Sequence, residues 1–243
     1  MIDSLSVIFP VFNEQSRINY SLNKIKKFIL SSNLKFLEII FIDDGSTDKT
    51  YFIIKNFICS FKNSKIRLIL LKNYKNFGKG FALKKGVKYS SAKWVLTSDI
   101  DLSVNINYYN KWFKHYKPKK YSIYFASRNH HDSKVKKVFI RYLLGKLFVF
   151  FIYFFFKIKL KDTQCGYKLY KNTIAKKIFS KLKNNKFAHD VEIVLIANLI
   201  KYPIKEMPVK WVHKNDSKLN IFLDTFLMFW DLLLIKIKFF NKI

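Results

Sequence analysis

The sequence predicts an α/β domain, with a mostly parallel central sheet and helices on both faces. Three observations support this. Strand-like and helix-like segments alternate through the first half of the chain, the pattern of parallel strands joined by crossover helices. The strand-like runs end in the polar stretches PVFNE, DDGSTD and TSDIDLS, which such a sheet gathers along one rim at its carboxyl edge. The chain has 243 residues, half of them hydrophobic, enough for one large domain with a sizeable core.

The elements follow in order. SLSVIFP (4–10) is apolar and β-branched, and Asn13-Glu14 opens a helix with Ile18, Leu22, Ile25 and Ile29 at helical spacing. LEIIFI (37–42) is a second strand. TDKTYFIIKNFI begins a second helix, capped near Ser46 to Asp48. RLILL (67–71) is a third strand, followed by a helix from about Gly80 to Tyr89. WVLTSD (94–99) is a fourth strand, then come a helix over 106–116 and the strand YSIYFA (121–126).

The second half reads differently. RYLLGKLFVFFIYFFFKIKL (141–160) holds the unbroken apolar run Leu147 to Phe156, ten residues where a spanning helix needs ~20. KDTQCGYKLY, a helix near 172–183, the segment 187–200 and a strand at 208–213 follow. The tail 219–240 is helical by pattern, with Asn220, Asp224, Asp231 and Lys238 on one narrow polar stripe. Such a helix suits an interface plane or a packed position rather than a bilayer crossing. The expected organisation is one domain over 1–215, with the apolar 141–160 segment inside it, and a C-terminal amphipathic helix over 216–243.

The net charge of +30 points to an anionic partner, or to a genome rich in A and T, since 46 basic residues include only four Arg. Arg17, Arg67, Arg128 and Arg141 therefore stand out. Two cysteines, Cys59 and Cys165, suggest no disulfide framework. MIDSLSVIFP has no basic leader and runs into a strand, so no signal peptide is expected. No nucleic-acid module is visible, and acids cluster where a nucleic acid would be repelled.

The rim carries the chemistry. Asp43-Asp44-Gly45-Ser46 offers acids that accept hydrogen bonds from a base N–H or ribose hydroxyls, though an Asx turn capping a helix explains it equally well. NFGKGFALKKG (76–86) is a Gly-broken loop whose backbone N–H groups could meet an anion or ribose. Asp99 and Asp101, two residues apart, repel unless a cation or a shared proton offsets the repulsion. A hard divalent ion, Mg²⁺ or Mn²⁺, prefers such oxygens and bridges them to substrate phosphates.

SVIFPVFNE, FIDDGSTDKT, NFGKGFALKKGV and TSDIDLS, in this order, resemble the nucleotide-sugar-binding half of family 2 glycosyltransferases. The resemblance implies the GT-A (nucleotide-diphospho-sugar transferase) fold, with Asp99-Ile100-Asp101 as its D-x-D metal motif. FASRNH, IRYLLGKLF, LKDTQCGYKLYK, FAHDVEIVLIA and NDSKLN before an apolar helix resemble the dolichyl-phosphate β-glucosyltransferase branch, and polyprenyl-phosphate mannosyltransferases match less closely.

The resemblance implies roles position by position. Pro10, Asn13 and Glu14 match the first-strand loop on the nucleotide. Asp43 matches the acid on uracil, with Asp44 beside it. Gly78, Lys79 and Gly80 match the ribose-side loop. Asp99 would touch ribose or metal, and Asp101 metal. Ser103 stands where the mannosyl relatives carry a metal-ligating Gln. Arg128 and Arg141 match arginines for the acceptor phosphate, where a guanidinium fork binds bidentately. Gln164 and Asp190 match acceptor-side positions. Asp101, Arg128 and Arg141 are thus the expected catalytic groups. Cys165 reads as packing, with no base evident beside it.

The function this implies is inverting transfer of a hexose, glucose from UDP-glucose, to a polyprenyl phosphate. The expected location is peripheral, on the cytoplasmic face of a membrane whose negative potential attracts the basic surface, including Lys134, Lys136 and Lys137. A phosphate acceptor is anionic at neutral pH and needs no general base. Two alternatives keep the fold. A sugar-hydroxyl acceptor would need a base, with Asp190 the candidate; GDP-mannose would replace UDP-glucose in a mannosyltransferase.

Overall fold

The computed structural model describes residues 2–61, 66–116, 121–135, 139–186, 188–212 and 230–237, with 139–144 as backbone alone. A seven-stranded sheet runs in the order β3-β2-β1-β4-β7-β5-β8. Its strands are β1 (Ser4–Val11), β2 (Phe36–Asp43), β3 (Ile66–Lys72), β4 (Trp94–Thr97), β5 (Ile123–Ser127), β7 (Lys168–Lys171) and β8 (Ile204–Pro208). All neighbours pair in parallel except β7, which is antiparallel to both β4 and β5. A separate parallel pair joins β6 (Lys134–Val135) to β9 (Lys210–Trp211). The α/β, mostly parallel architecture agrees with the sequence.

Strand periodicity sorts the core into two layers. Leu5, Val7, Phe9, Leu37, Ile39 and Phe41 face one cluster, with α1 (Ile18–Leu30) and Ile54 of α2 (Thr50–Cys59). Ile8, Ile40, Ile42, Phe125 and Tyr170 face the other, with α3 (Lys79–Tyr89), α6 (Asn172–Lys181) and α7 (His189–Leu199). Successive strand residues point to opposite faces, so strands covered on both sides are apolar throughout.

Some expectations are corrected. β4 ends at Thr97, so Asp99 and Asp101 lie in the turn after it and not in extended chain. The 106–116 helix is a short α4 (Tyr108–Lys111) continued by a π-helical turn, Trp112–Tyr116. The Trp112 indole donates to the Pro208 carbonyl at 2.7 Å, and Tyr167 donates to the Ile106 carbonyl at 2.7 Å, pinning this segment to the sheet. β7 and β8 were not expected: β7 is four residues long and holds a buried Lys, and β8 is IKEMP, charged and closed by Pro. The strand expected over 208–213 is reduced to β9.

The apolar segment forms α5 (Phe139–Phe156). Ile152 packs into the second core layer, while Leu147, Phe150, Tyr153 and Phe154 are exposed. Residues 230–237 are helical and divide in the same way: Leu232 and Ile235 are buried, and Trp230, Leu234 and Ile237 are exposed. Lys236 lies 4.6 Å over the Phe155 ring, so the two helices are neighbours. Among the described residues no helix is long and apolar enough to cross a membrane. The rest of the expected 216–243 helix lies outside the described residues, as do Asn220, Asp224, Lys238, Lys136 and Lys137.

Candidate active site

β1 lies between β2 and β4, so the chain reverses its winding direction beside it. The loops after these three strands meet there, the place where open α/β sheets bind ligands. Pro10, the penultimate residue of β1, fits for a backbone reason. Ile8 accepts a bond from Ser98, so even-numbered residues of β1 face β4. By Pro10, β4 has ended, and the missing N–H faces no ladder.

The first two loops brace each other. Asn13, at φ 51°, accepts from the Thr47 amide at 2.8 Å, while its own amide donates to the Ser46 hydroxyl at 2.9 Å. The Glu14 amide donates to the Thr50 hydroxyl at 2.8 Å, and its carboxylate is held by Arg17. Gly45, at φ 78°, turns the chain where a Cβ would come 2.4 Å from the Lys75 backbone. Asp43 is fully buried, with Oδ1 accepting from the Ser46 amide and Oδ2 without a partner among the described residues. Burial raises its carboxyl above the usual range, against the pull of Ser46. An orphaned buried acceptor is what a base N–H would satisfy.

Asp44 does different work. Its carboxylate accepts from the Asn73 amide group at 2.7 Å, from the Phe77 N–H at 3.2 Å and from the Gly78 N–H at 2.7 Å. It therefore shapes the loop before α3. The backbone donors expected of that loop turn inward. Gly78 donates to Asp44, and Gly80 and Phe81 donate to the Asn185 carbonyl at 2.8 and 3.3 Å. The Asn185 loop is itself held by Glu192, which accepts from the Lys183 and Asn184 amides at 3.0 and 2.6 Å.

The side chain of Lys79, by contrast, points into the rim. Its Nζ lies 2.6 Å from Asp99 Oδ1. Burial works against its charge, but Asp99, Asp190 and Asp101 outweigh it and hold the ammonium above the ordinary lysine range. The positive group seated on Asp99 is thus a lysine. Asp99 lies opposite Gly166 when the β4–β7 register is continued past Thr97↔Lys168, and a Cβ at 166 would come 2.4 Å from Asp99 Oδ2. Only a bare Cα leaves that seat open. Asp101 accepts from the amide and the hydroxyl of Ser103, both at 2.9 Å, so Ser103 orients it. Two carboxylates backed by this frame are hard oxygen donors of the kind Mg²⁺ or Mn²⁺ takes, and the donor set fits such an ion.

Two ion pairs neighbour the acids; in the first, Asp162 is buried and Arg128 is partly exposed. The Arg128 side chain lays its Nε and Nη2 on Asp162 at 2.7 and 2.9 Å, and its backbone amide adds a third bond at 2.9 Å. Burial would raise the Asp162 carboxyl, but Arg128 outweighs it and holds it below the usual range. One edge of the expected phosphate fork is therefore committed to Asp162. That carboxylate also accepts from the amide of Gln164 at 3.0 Å, which fixes the expected acceptor-side loop. Arg141 lies in the first turns of α5, and its side chain is outside the described ones.

The second pair joins Lys168 of β7 to Asp190 of α7, both buried. Burial raises the Asp190 carboxyl, but Lys168 and Lys79 outweigh it and hold it below the usual range. Sequence reasoning missed Lys168, Asp162 and Gly166. A Lys inside the apolar alternation CGYKLY was the available signal for the first.

His189 is fully buried. Its Nδ1 lies 2.6 Å from the Lys186 carbonyl and must donate, and its Nε2 makes no hydrogen bond among the described residues. Burial pushes its pKa down to about 4, against Asp190, so it is neutral in the fold. Below pH ~6.5 the unfolded chain binds a proton that the folded chain refuses. Stability therefore falls as pH drops from about 6.5 towards 4, by about 3 kcal/mol from this residue. In thermal unfolding over a pH series, His189→Gln is expected to lose that part of the slope; an unchanged slope would show that His189 is not held neutral. Burial also pushes the Cys165 thiol up to about 12, which leaves it a packing residue.

Comparison with known proteins accords with this geometry. Residues 6–179 match glycosyl transferase family 2. The dolichyl-phosphate beta-glucosyltransferase of Dictyostelium discoideum is 35% identical over 97% of this chain and 74% of its own length. That of Homo sapiens is 31% identical over 97% and 75%. Among solved structures, mannosyl-3-phosphoglycerate synthase from Rubrobacter xylanophilus superposes with a TM-score of 0.63 at 11% identity, over 96% of this chain and 72% of that one. Glucosyl-3-phosphoglycerate synthase from Mycobacterium tuberculosis, solved with Mn²⁺, UDP and glucosyl-3-phosphoglycerate, gives 0.61 at 13%, over 88% and 73%. These two likenesses concern the fold alone. The match over most of the domain, the acid rim at the sheet's switch point and the shared fold make this chain a family 2 glycosyltransferase of the GT-A type, belonging with the dolichyl-phosphate beta-glucosyltransferases.

Proposed function

We propose that the chain transfers glucose from UDP-glucose to a dolichyl-type polyprenyl phosphate, with inversion at C1. The observation that carries this reading is the condition of Asp190. A hydroxyl acceptor would need that carboxylate as a general base, yet it is buried, ion-paired with Lys168 and held below the usual pKa range. A phosphate monoester brings its own anionic oxygen, since its second pKa is ~6.

In this reading Asp43 accepts from the base of the donor, and the braced loops at Asn13–Glu14 and Asp44–Gly78 shape its seat. Asp99 and Asp101 would hold Mg²⁺ or Mn²⁺, which when bound takes up negative charge on the departing diphosphate. Arg128 and Arg141 would hold the acceptor phosphate. A phosphate oxygen attacks C1 from the side opposite UDP, the new C1–O bond forms as the bond to UDP breaks, and UDP leaves with the electron pair. The exposed faces of α5 and 230–237 present aromatic and aliphatic side chains of the kind that lie in a membrane interface. A peripheral position on the cytoplasmic leaflet suits them and the basic charge.

The test incubates the protein with dolichyl-phosphate vesicles and a panel of labelled nucleotide sugars, then identifies the labelled lipid. Glucose on the lipid from UDP-glucose is the expected product; mannose from GDP-mannose, or no labelled lipid, would overturn the assignment. The paired variant Lys168→Met/Asp190→Asn removes both buried charges together. It is expected to keep transfer within about tenfold, where loss of a true base costs about 10²–10⁴-fold.

A further inference from the structure

We propose that Lys79 is a tethered cation that occupies the acid pair in the donor-free protein, competes there with a divalent ion, and moves to the diphosphate when the donor binds. The second half rests on the glycosyl-transfer reading; the first rests on this chain's own groups.

The Nζ of Lys79 lies 2.6 Å from Asp99 Oδ1, and Asp101 and Asp190 also act on it. Asp190 already has Lys168 as its close partner. The ammonium of Lys79 is thus the charge that balances the rim acids themselves. Asp99 is confined as well, because its carboxylate is seated beside Gly166 in space that a Cβ there would fill. A divalent ion approaching Asp99 meets a position already held by a positive charge at ion-pair distance, and must displace it.

The tether makes displacement possible without backbone motion. Lys79 is the first residue of α3, and its backbone neighbours are fixed, Gly78 by Asp44 and Gly80 by the Asn185 carbonyl. From that pivot a four-carbon stem swings a compact point charge, which a planar guanidinium would not do as readily. The side chains of Asp99 and Lys79 are both partly open to solvent, so the stem has room to swing. A donor diphosphate arriving beside Asp99 offers it a stronger anionic partner, and leaves Asp99 free for the ion.

The test reads Mn²⁺ binding to the protein without nucleotide or lipid, by calorimetry or by the electron paramagnetic resonance of free Mn²⁺. Lys79→Met and, as a second neutral variant, Lys79→Gln are expected to bind Mn²⁺ about tenfold or more tightly than the wild type. Lys79→Arg, which keeps the charge, is expected to stay near wild type, and Asp99→Asn to abolish the gain in Lys79→Met. Equal or weaker Mn²⁺ binding by the folded neutral variants would overturn the competition. The second half is read separately, as UDP binding in excess chelator: loss of about tenfold in Lys79→Met supports transfer to the diphosphate, and unchanged binding refutes it. Neither measurement uses the lipid acceptor or the sugar, so failure of the glucosyl assignment would show elsewhere, in the labelled-lipid panel.

Discussion

Asp101→Asn is expected to lower kcat/KM by about 10³-fold, equivalent to about 4 kcal/mol of transition-state stabilisation, and to leave the melting temperature within about 2 °C of wild type. The two halves of that expectation have different causes. Asparagine keeps an oxygen for the Ser103 amide and can reverse the bond to the Ser103 hydroxyl, so the turn after β4 persists. In the proposed mechanism, what disappears is a full negative charge and one hard ligand oxygen where the leaving diphosphate would be neutralised. Asp101 is only partly buried and Ser103 is its close partner, so little else depends on that charge. Excess chelator should reproduce the loss in the wild type and add little to the variant. Full turnover by either the variant or the chelated wild type would remove the acid pair from the mechanism. Equal losses in activity and melting temperature would instead make Asp101 a folding residue.

The architecture was legible wherever one residue's own pattern decides its place. Ile8 and Ile40 read as strand, and Ile18, Leu22 and Ile25 read as helix, because burial on a pleat or a helical stripe imposes a fixed period. The rim was legible for the same reason: loops after parallel strands must meet at one edge. Pairing was not legible. Arg128 and Asp162 are 34 positions apart and Lys168 and Asp190 are 22 apart, so the sequence offered an arginine for phosphate without showing the carboxylate that would clasp it. β7 escaped because a four-residue strand carrying a buried lysine resembles a polar loop. The inward turn of the Gly78–Gly80 amides escaped because it depends on Asn185, a loop residue more than a hundred positions away whose carbonyl sits over the start of α3. Asp43, with a buried oxygen lacking a partner among the described residues, is where the two readings meet: its type announced an acceptor, and its burial left that acceptor unused.

Lys168→Met is expected to destabilise the fold by about 3–5 kcal/mol, which for a chain of this size lowers the melting temperature by roughly 10 °C. Lys168 is 2% exposed, with its ammonium on Asp190 and 4.7 Å over the Phe125 ring. Methionine fills much of the same volume, so packing against Phe125 survives and the lost quantity is the charge. Asp190 is then left buried, with Lys79 already held by Asp99. The pH dependence identifies the cause. With its partner gone, Asp190 takes a pKa above its unfolded value, so the variant folds best when the carboxyl is protonated and its deficit against wild type grows as pH rises through that pKa. A cavity or packing defect would give a deficit independent of pH. The double change Lys168→Met/Asp190→Leu, which replaces both charges with apolar groups, should recover most of the loss, because a buried pair contributes little over well-packed hydrophobic residues while half a pair costs a great deal. Should Lys168→Met melt with the wild type at neutral pH, the Lys168–Asp190 contact is not holding a charged carboxylate, and Asp190 becomes available again as a base. The stability of one β7 lysine therefore bears directly on whether the acceptor must bring its own negative charge.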